Sequence, residues 1–366
     1  MDYKVNLHSL AEKAMFDLRA LYKKSGYTHF CLSKFEHYDF YAQNKSFITG
    51  TSLLTFTDTN GALLALKPDI TLSIVKSTKS QNGAFQKVYY NESVYRAGDG
   101  APFREIMQTG LECIGPLDTL SICEVISLAA ESLAKINEAY ILDISHIGLL
   151  SGFIKTITEH EPSRKALLRH AEEKNTHDAV SICKQLGAAP EQIEALKTLF
   201  LLRGTLKETL PVLAKMNLGK SAAPALEELS QISSLLDETD LSEKIYLDLS
   251  LMGDESYYNG IIFRGFIKDI ALHVLSGGRY DALLRKMNKE GGAIGFAVYL
   301  DRLTQPQPNP PCDVDILLLT KETDDPKQVA ALIKTLTSSG QTVRVDRAKP
   351  EDLKYKKLLH TQEALK

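Results

Sequence analysis

Between residues 6 and 25 apolar side chains recur at helical spacing: Leu10, Ala14, Phe16, Leu18, Leu21 and Tyr22. That period predicts a helix, and Gly26 stands where a left-handed C-cap would close it. The period then shortens. Residues 53–57 and 62–66 alternate as strands do, and the turn residues Asp58-Thr59-Asn60-Gly61 between them predict a hairpin. Further strands are expected at 87–90 and ending at 111–115. Residues 121–139 return to a helical period, with Val125, Leu128, Ala129 and Leu133 on one face. Residues 151–240 are rich in Leu, Ala, Glu and Lys, with turn signals at Gly187, Gly204 and Gly219. Alternation resumes where Ile245, Leu247, Leu249 and Leu251 face away from Tyr246, Asp248 and Ser250, and a second strand covers 260–269. Strands gathered into hairpins with helices outside them predict an α+β fold rather than regular βαβ repetition.

The interruption sets the domain organisation. Residues 1–150 and 241–303 are expected to form one antiparallel sheet domain, with 151–240 as a helical insertion. Residues 304–312 are rich in proline and read as a linker. Residues 313–366 then form a small α/β unit: a strand at 314–319, a helix at 326–338, Gly340, and a strand at 342–345. Asp325 would cap that helix and Pro326 suits its first position.

Composition narrows the function classes. A net charge of −3 over 366 residues offers no global field for a polyanion, so tRNA or other nucleic acid is not an expected partner. No apolar run approaches the roughly 20 residues of a membrane span, and the first ten residues lack a signal-peptide core. The five cysteines, at 31, 113, 123, 183 and 312, form no CxxC pair, which argues for a reducing cytoplasm and against disulfides or zinc. The nine histidines show no HExxH spacing, so no metal is expected. No Walker or dinucleotide fingerprint occurs, and no cofactor is implied.

Four clusters carry candidate chemistry. In Lys67-Pro68-Asp69-Ile70-Thr71 an extended backbone would put Asp69 and Thr71 on one face, as an ammonium-binding pair requires; equally, Asp69 would simply cap a helix running through 71–77. Tyr95-Arg96 and the strand Arg104 … Gln108 … Glu112 form the second, with Arg104, Gln108 and Glu112 sharing parity. The third is Ser256-Tyr257-Tyr258-Asn259-Gly260. The fourth is Ser276-Gly277-Gly278-Arg279-Tyr280-Asp281, followed by Gly295-Phe296-Ala297 and Asp301-Arg302-Leu303. A lone glycine pair is a turn as readily as a phosphate loop, and none of the clusters taken singly identifies a function.

In this order they resemble the class II aminoacyl-tRNA synthetase fold, specifically the histidyl-tRNA synthetase group, over about residues 5–303. The matches include Gly26-Tyr27, Phe56-Thr57-Asp58, Gln108-Thr109-Gly110-Leu111-Glu112, Gly277-Gly278-Arg279-Tyr280-Asp281 and Asp301-Arg302-Leu303. The resemblance implies an antiparallel sheet flanked by helices. It also implies a histidine-binding set of Asp69, Thr71, Arg96, Gln108, Glu112, Tyr257 and Tyr258, and a nucleotide-binding remnant at Arg96 and Arg302.

The departures point away from catalysis. The group places an arginine shortly before the paired tyrosines to act on the acyl phosphate; Gly253 stands there in this chain. Arg96 is followed by Gly98 where a glutamate is usual, Ser33 replaces a proline of the dimer interface, and Lys67 replaces an arginine, losing a bidentate fork. Asp69 is one methylene shorter than the usual glutamate. Losing one fixed cation aimed at developing phosphate charge typically costs roughly 10²–10³ in rate. The C-terminal unit resembles only a truncated anticodon-binding domain. The same scaffold without those groups is similar to the regulatory subunit of ATP phosphoribosyltransferase. That resemblance implies a non-catalytic chain of histidine biosynthesis, needed by a short-form catalytic subunit and for histidine feedback. It implies assembly as a homodimer within a hetero-octamer. A histidyl-tRNA synthetase, or another paralogue that binds histidine, is the alternative.

Overall fold

The computed structural model describes residues 10–48, 52–78, 83–97, 102–253, 257–303 and 312–364. The start of the chain, the loop around Gly98, Asp254-Glu255-Ser256 and the proline-rich stretch 304–311 lie outside the described residues. Helix α1 (Leu10–Lys24) buries Ala14, Leu18 and Tyr22, the face its period marks. Gly26 closes it at φ +85°, with the Tyr27 amide returning to the Tyr22 carbonyl at 3.0 Å. The chain then makes β1 (Thr28–His29), β2 (Phe35–His37), α2 (Tyr38–Gln43), β3 (Thr55–Thr57) and β4 (Leu63–Leu66). The hairpin forms as its turn residues predict, and β2 joins it as a third strand in the order β2-β4-β3. Helix α3 (Ile70–Ser77) follows, with Asp69 as its N-cap.

Two long strands, β5 (Gln86–Ala97) and β6 (Phe103–Gly115), pair antiparallel from end to end. Helix α4 (Thr119–Ile136) leads to β7 (Tyr140–His146). Helices α5 (Ile147–Ile154), α6 (Glu161–Glu172), α7 (Thr176–Gln185) and α8 (Pro190–Leu201) come next. Then β8 (Arg203–Thr205), α9 (Leu206–Ala214), α10 (Ala223–Leu236) and β9 (Ile245–Asp248) return the chain to the sheet. It closes with β10 (Ile261–Ile267), β11 (Leu275–Arg279), α11 (Asp281–Lys286) and β12 (Gly292–Tyr299). All nine main strands join one sheet in the order β1-β5-β6-β12-β11-β10-β7-β9-β8.

Two details differ from a purely antiparallel sheet. The pairs β1·β5 and β7·β9 run parallel, because the chain reaches each through a long connection rather than a hairpin. The stretch 151–240 is not wholly helical either, since β8 pairs antiparallel with β9 at the sheet edge. Gly277 and Gly278 lie inside β11 rather than in a turn. One face of the sheet packs on α1, α4 and the later helices around Leu111, Ile144, Leu229 and Phe296. The other face packs on α3 and α11 around Val88, Ile114 and Ala293. Leu10–Leu303 make one compact unit, and among the described residues no helix is long and apolar enough to cross a membrane.

The C-terminal residues belong to a second unit. It holds β13 (Val314–Leu319), α12 (Pro326–Ser338), β14 (Val343–Asp346), β15 (Tyr355–His360) and α13 (Thr361–Ala364). Asp325 caps α12 by accepting from the Lys327 amide at 3.0 Å. The sequence pattern misses β15, whose lysines and exposed leucine (Leu358) hide the strand period; it makes the unit a three-stranded parallel sheet, β14-β13-β15.

Candidate functional site

The strands β6, β10, β11 and β12 meet the start of α3 around a cavity of about 650 Å³. Asp69, Thr71, Arg96, Gln108, Glu112, Tyr257, Tyr258 and Arg302 all border it, so the structure brings these residues of the implied histidine-binding set and nucleotide remnant to one place. The extended backbone that would align Asp69 with Thr71 does not occur. Helix α3 begins at Ile70, and Asp69 accepts the Leu72 amide at 2.8 Å, so the capping role and the cavity position coexist in one residue. Parity holds along β6 for Gln108 and Glu112, whereas Arg104 lies at the exposed outer end of the strand and does not reach the cavity.

Glu112 is the centre of one end. It is 1% exposed, accepts the Thr71 hydroxyl at 2.8 Å and the Tyr280 hydroxyl at 2.5 Å, and burial raises its carboxyl to about 8. Asp69 adds to that rise through like-charge repulsion, and its own carboxyl is also raised by burial, against the pull of Arg96. Arg96 donates to Asp69 at 3.2 Å and to the Pro68 carbonyl at 2.6 Å. This end therefore offers two carboxyls against one guanidinium, which suits an entering cation. The space exists because strand β12 opposes Glu112 with Gly295: a Cβ there would lie 1.8 Å from the Glu112 Oε2. Tyr257 packs edge-on against Tyr258 at 4.7 Å and near Tyr280 at 5.8 Å, walling the cavity with rings.

The two replaced basic positions are accounted for locally. Lys67 is fully buried and ion-paired to Glu92 at 2.9 Å, with Glu92 also accepting the Leu32 amide, so its ammonium is spent on structure and does not border the cavity. Gly253 does border the cavity, and a Cβ on it would lie 2.9 Å from the Tyr258 ring. The ring fills the space that a side chain at 253 would enter.

The other end is lined by Met252, Arg264, His273, Ser276, Tyr299, Asp301 and Arg302. Arg302 donates to the His273 carbonyl and stacks under the Tyr299 ring at 4.1 Å. Sequence reasoning gave Arg264, His273 and Tyr299 no role. A single charge inside the apolar run Ile261-Ile262-Phe263-Arg264 was the available signal for Arg264; His273 carried none. Tyr280 lay in a noted motif, but its bond to Glu112 spans 168 positions and has no local signature.

A family model for histidyl-tRNA synthetase matches residues 6–303. Among curated proteins, the ATP phosphoribosyltransferase regulatory subunit of Caldanaerobacter subterraneus subsp. tengcongensis is 33% identical over 291 residues, covering 78% of this chain and 75% of the relative. The protein of the same description from Bacillus cereus strain AH187 is 27% identical over 310 residues, covering 83% and 74%. Among solved structures, an ATP phosphoribosyltransferase regulatory subunit/histidyl-tRNA synthetase from Bacillus halodurans C superposes with a TM-score of 0.78 at 24% identity, covering 96% of this chain and 93% of that one. An ATP phosphoribosyl transferase complex from Thermotoga maritima gives a TM-score of 0.63 at 21% identity, covering 80% and 97%. These likenesses establish the class II synthetase fold.

Proposed function

The chain belongs to the histidyl-tRNA synthetase family and, within it, to the ATP phosphoribosyltransferase regulatory subunits, and from that premise we propose that it does no chemistry of its own. It serves instead a short-form catalytic ATP phosphoribosyltransferase subunit in histidine biosynthesis, which depends on it for activity and for histidine feedback. The observation that carries this reading is the state of the cavity. Its carboxyl end is intact, with Asp69, Thr71, Gln108, Glu112, Tyr257 and Tyr258 around one space, while position 253 is a glycine closed off by Tyr258. Recognition is kept and the means of activating a carboxylate is gone.

L-Histidine is the proposed ligand. Its ammonium would meet Asp69 and Glu112, a charge-assisted contact worth roughly 1.5–3 kcal/mol, and its imidazole or amine would meet Gln108 and Glu112. The solved Thermotoga maritima assembly is described as an ATP phosphoribosyl transferase complex, which supports the same kind of partner here. In its own complex with the catalytic subunit, on this reading, the chain pairs with a second copy of itself as part of a hetero-octamer, in the cytoplasm. Exposed Phe35 and Phe56, whose rings meet edge-on at 5.4 Å on the small sheet, support self-association.

The test is co-purification with the short catalytic subunit, then assay of phosphoribosyl transfer. Transfer is expected only when both chains are present, and histidine is expected to suppress it. The chain alone should not exchange pyrophosphate into ATP in a histidine-dependent way. Robust exchange by the chain alone would identify an active synthetase and overturn the proposal.

A further inference from the structure

We infer that Arg264 on β10 holds the α-carboxylate of the amino acid whose ammonium meets Asp69 and Glu112, so that the site takes a zwitterion and not merely a cation. On the histidine reading, which this assignment presupposes, the carboxylate is the one charged group of the ligand left without a partner. The strand register gives the layout. Across β6, β12, β11 and β10, one row of facing residues is Glu112, Gly295, Gly278 and Ile262, and the next is Gly110, Ala297, Ser276 and Arg264. Directly opposed residues of antiparallel strands share a face, as do residues two apart along one strand. Glu112 and Arg264 therefore rise from the same face, on two sides of the cavity that both border. Between them, β12 and β11 present only Gly295, Gly278, Ala297 and Ser276 in these rows, a floor without bulky side chains.

The two side chains lean toward each other. Glu112 bends over β12, since a Cβ on Gly295 would lie 1.8 Å from its Oε2. Arg264 donates to the Met252 carbonyl at 3.2 Å, and the adjoining Gly253 lies over Ile262, a Cβ there falling 3.6 Å from the Ile262 Cδ1. The guanidinium thus reaches back along β10 toward the row that Glu112 heads. Two strand spacings, about 10 Å, separate β12 from β10. An amino acid with its ammonium at one side and its carboxylate at the other spans about 9 Å, a charge-assisted bond at each end included. Tyr258 rests on Gly278 between the two sides, where a Cβ would lie 2.9 Å from its ring. Its hydroxyl senses both: burial raises its pKa most, Tyr299, Asp69 and Glu112 add to the rise, and Arg264 opposes it.

Among the described residues that border the cavity, no other cation is as available. Arg96 is committed to the Asp69 carboxylate and the Pro68 carbonyl. Arg302 donates to the His273 carbonyl and lies against the Tyr299 ring. His273 is neutral at pH 7, because burial, Arg302 and Arg264 hold its imidazole down to about 4. Arg264 itself is half-buried, and its bond to Met252 uses one of five N–H donors. Asp143 faces it across β7 but is taken by Arg203 at 2.8 Å, and among the described residues Arg264 meets no carboxylate. A desolvated guanidinium without a counter-ion is costly to keep, and a carboxylate arriving with the ligand supplies one. Arg264 thus brings a cation from β10 to the region where position 253 offers none. Gripping the carboxylate already in the bound state, it holds the ligand without activating it.

Calorimetry on the full-length chain tests this with L-histidine and L-histidinol, which share the ammonium and the imidazole and differ in the carboxylate. Wild type should prefer histidine by about tenfold or more, the scale of one charge-assisted contact. Arg264→Gln should weaken histidine by that factor and leave histidinol nearly unchanged, which erases the preference. Arg264→Lys should keep part of it, and circular dichroism reports whether each variant folds. Glu112→Gln should weaken both ligands alike, because it acts on the ammonium they share. The assignment is overturned if wild type binds the two ligands equally, or if folded Arg264→Gln keeps the wild-type preference. Equal binding that Glu112→Gln still weakens removes Arg264 alone and leaves the histidine reading standing, whereas a wild type that binds neither ligand removes both.

Discussion

A carboxyl as deeply buried as Glu112 keeps its proton into the neutral range, and the consequence for stability has a definite sign. Its folded value, about 8, lies above the ordinary 4.5, so between those values the folded chain holds a proton that the unfolded chain has released. Stability from this group is therefore full below about pH 4.5 and falls as pH rises through the window to about 8. The size is of the order of a few kcal/mol. Urea unfolding of wild type and Glu112→Gln at pH 5 and pH 8 isolates it: the wild type should lose more stability across that interval than the variant. Equal losses would show that Glu112 ionises normally. The same proton bears on the ligand. An ammonium entering beside Asp69 and Glu112 favours the carboxylate form, so histidine binding at pH 7 should release a proton, and its calorimetric heat should change with the ionisation enthalpy of the buffer. Glu112→Gln should bind histidine more weakly and without that dependence.

At the scale of elements, local rules carried some features and long-range pairing carried others. The caps of α1 and α12 and the β3–β4 hairpin were legible because Gly26, Asp325-Pro326 and Asp58-Thr59-Asn60-Gly61 state their geometry in adjacent residues. The full lengths of β5 and β6 were not, because Asn91, Glu92 and Ser93 break the apolar pattern and are held by pairing with Gln108 and its neighbours. The candidate site was legible as a list of residues, while its floor, set by the facing of Gly295 and Glu112, needed the register. One network joins helix α10 to the cavity wall. Glu228 meets His146 at 2.6 Å and Arg279 at 3.3 Å, and Arg279 also meets Asp281. The Gly148 amide donates to His146 Nδ1, so the ring proton sits on Nε2 and points at Glu228. Glu228→Ala leaves both partners half-satisfied and should cost about 1–3 kcal/mol. Because Tyr280, between Arg279 and Asp281, donates to Glu112, histidine affinity should fall with it. A variant that melts and binds as wild type does would show that α10 is merely adjacent.

For the whole molecule, the self-association proposed above asks which surface a second copy would cover. The nine-stranded sheet buries both faces within its own unit, so it leaves little apolar area for association. The small sheet differs. Register places Phe35, Phe56 and Leu64 on one face of β2-β4-β3, and Phe35 and Phe56 remain 45% and 37% exposed. Large aromatic rings left in contact with each other and with water are costly in a monomer, which supports this face as the proposed association surface. A twofold arrangement would bury the same patch on each copy, so one substitution removes the contact twice. The small sheet also leads, through β4, into Lys67 and the cap of α3, which ties the surface to the carboxyl end of the cavity through three residues of chain. Sedimentation of the wild type should report a dimer, and Phe56→Asp should shift it toward monomer while circular dichroism stays unchanged. Because the ring lies outside the cavity lining, histidine affinity measured on the monomeric variant reads the coupling between pairing and site directly. A weakened affinity means the dimer holds α3 in place, an unchanged one means each copy binds alone, and a Phe56→Asp chain that still sediments as a dimer assigns the interface elsewhere.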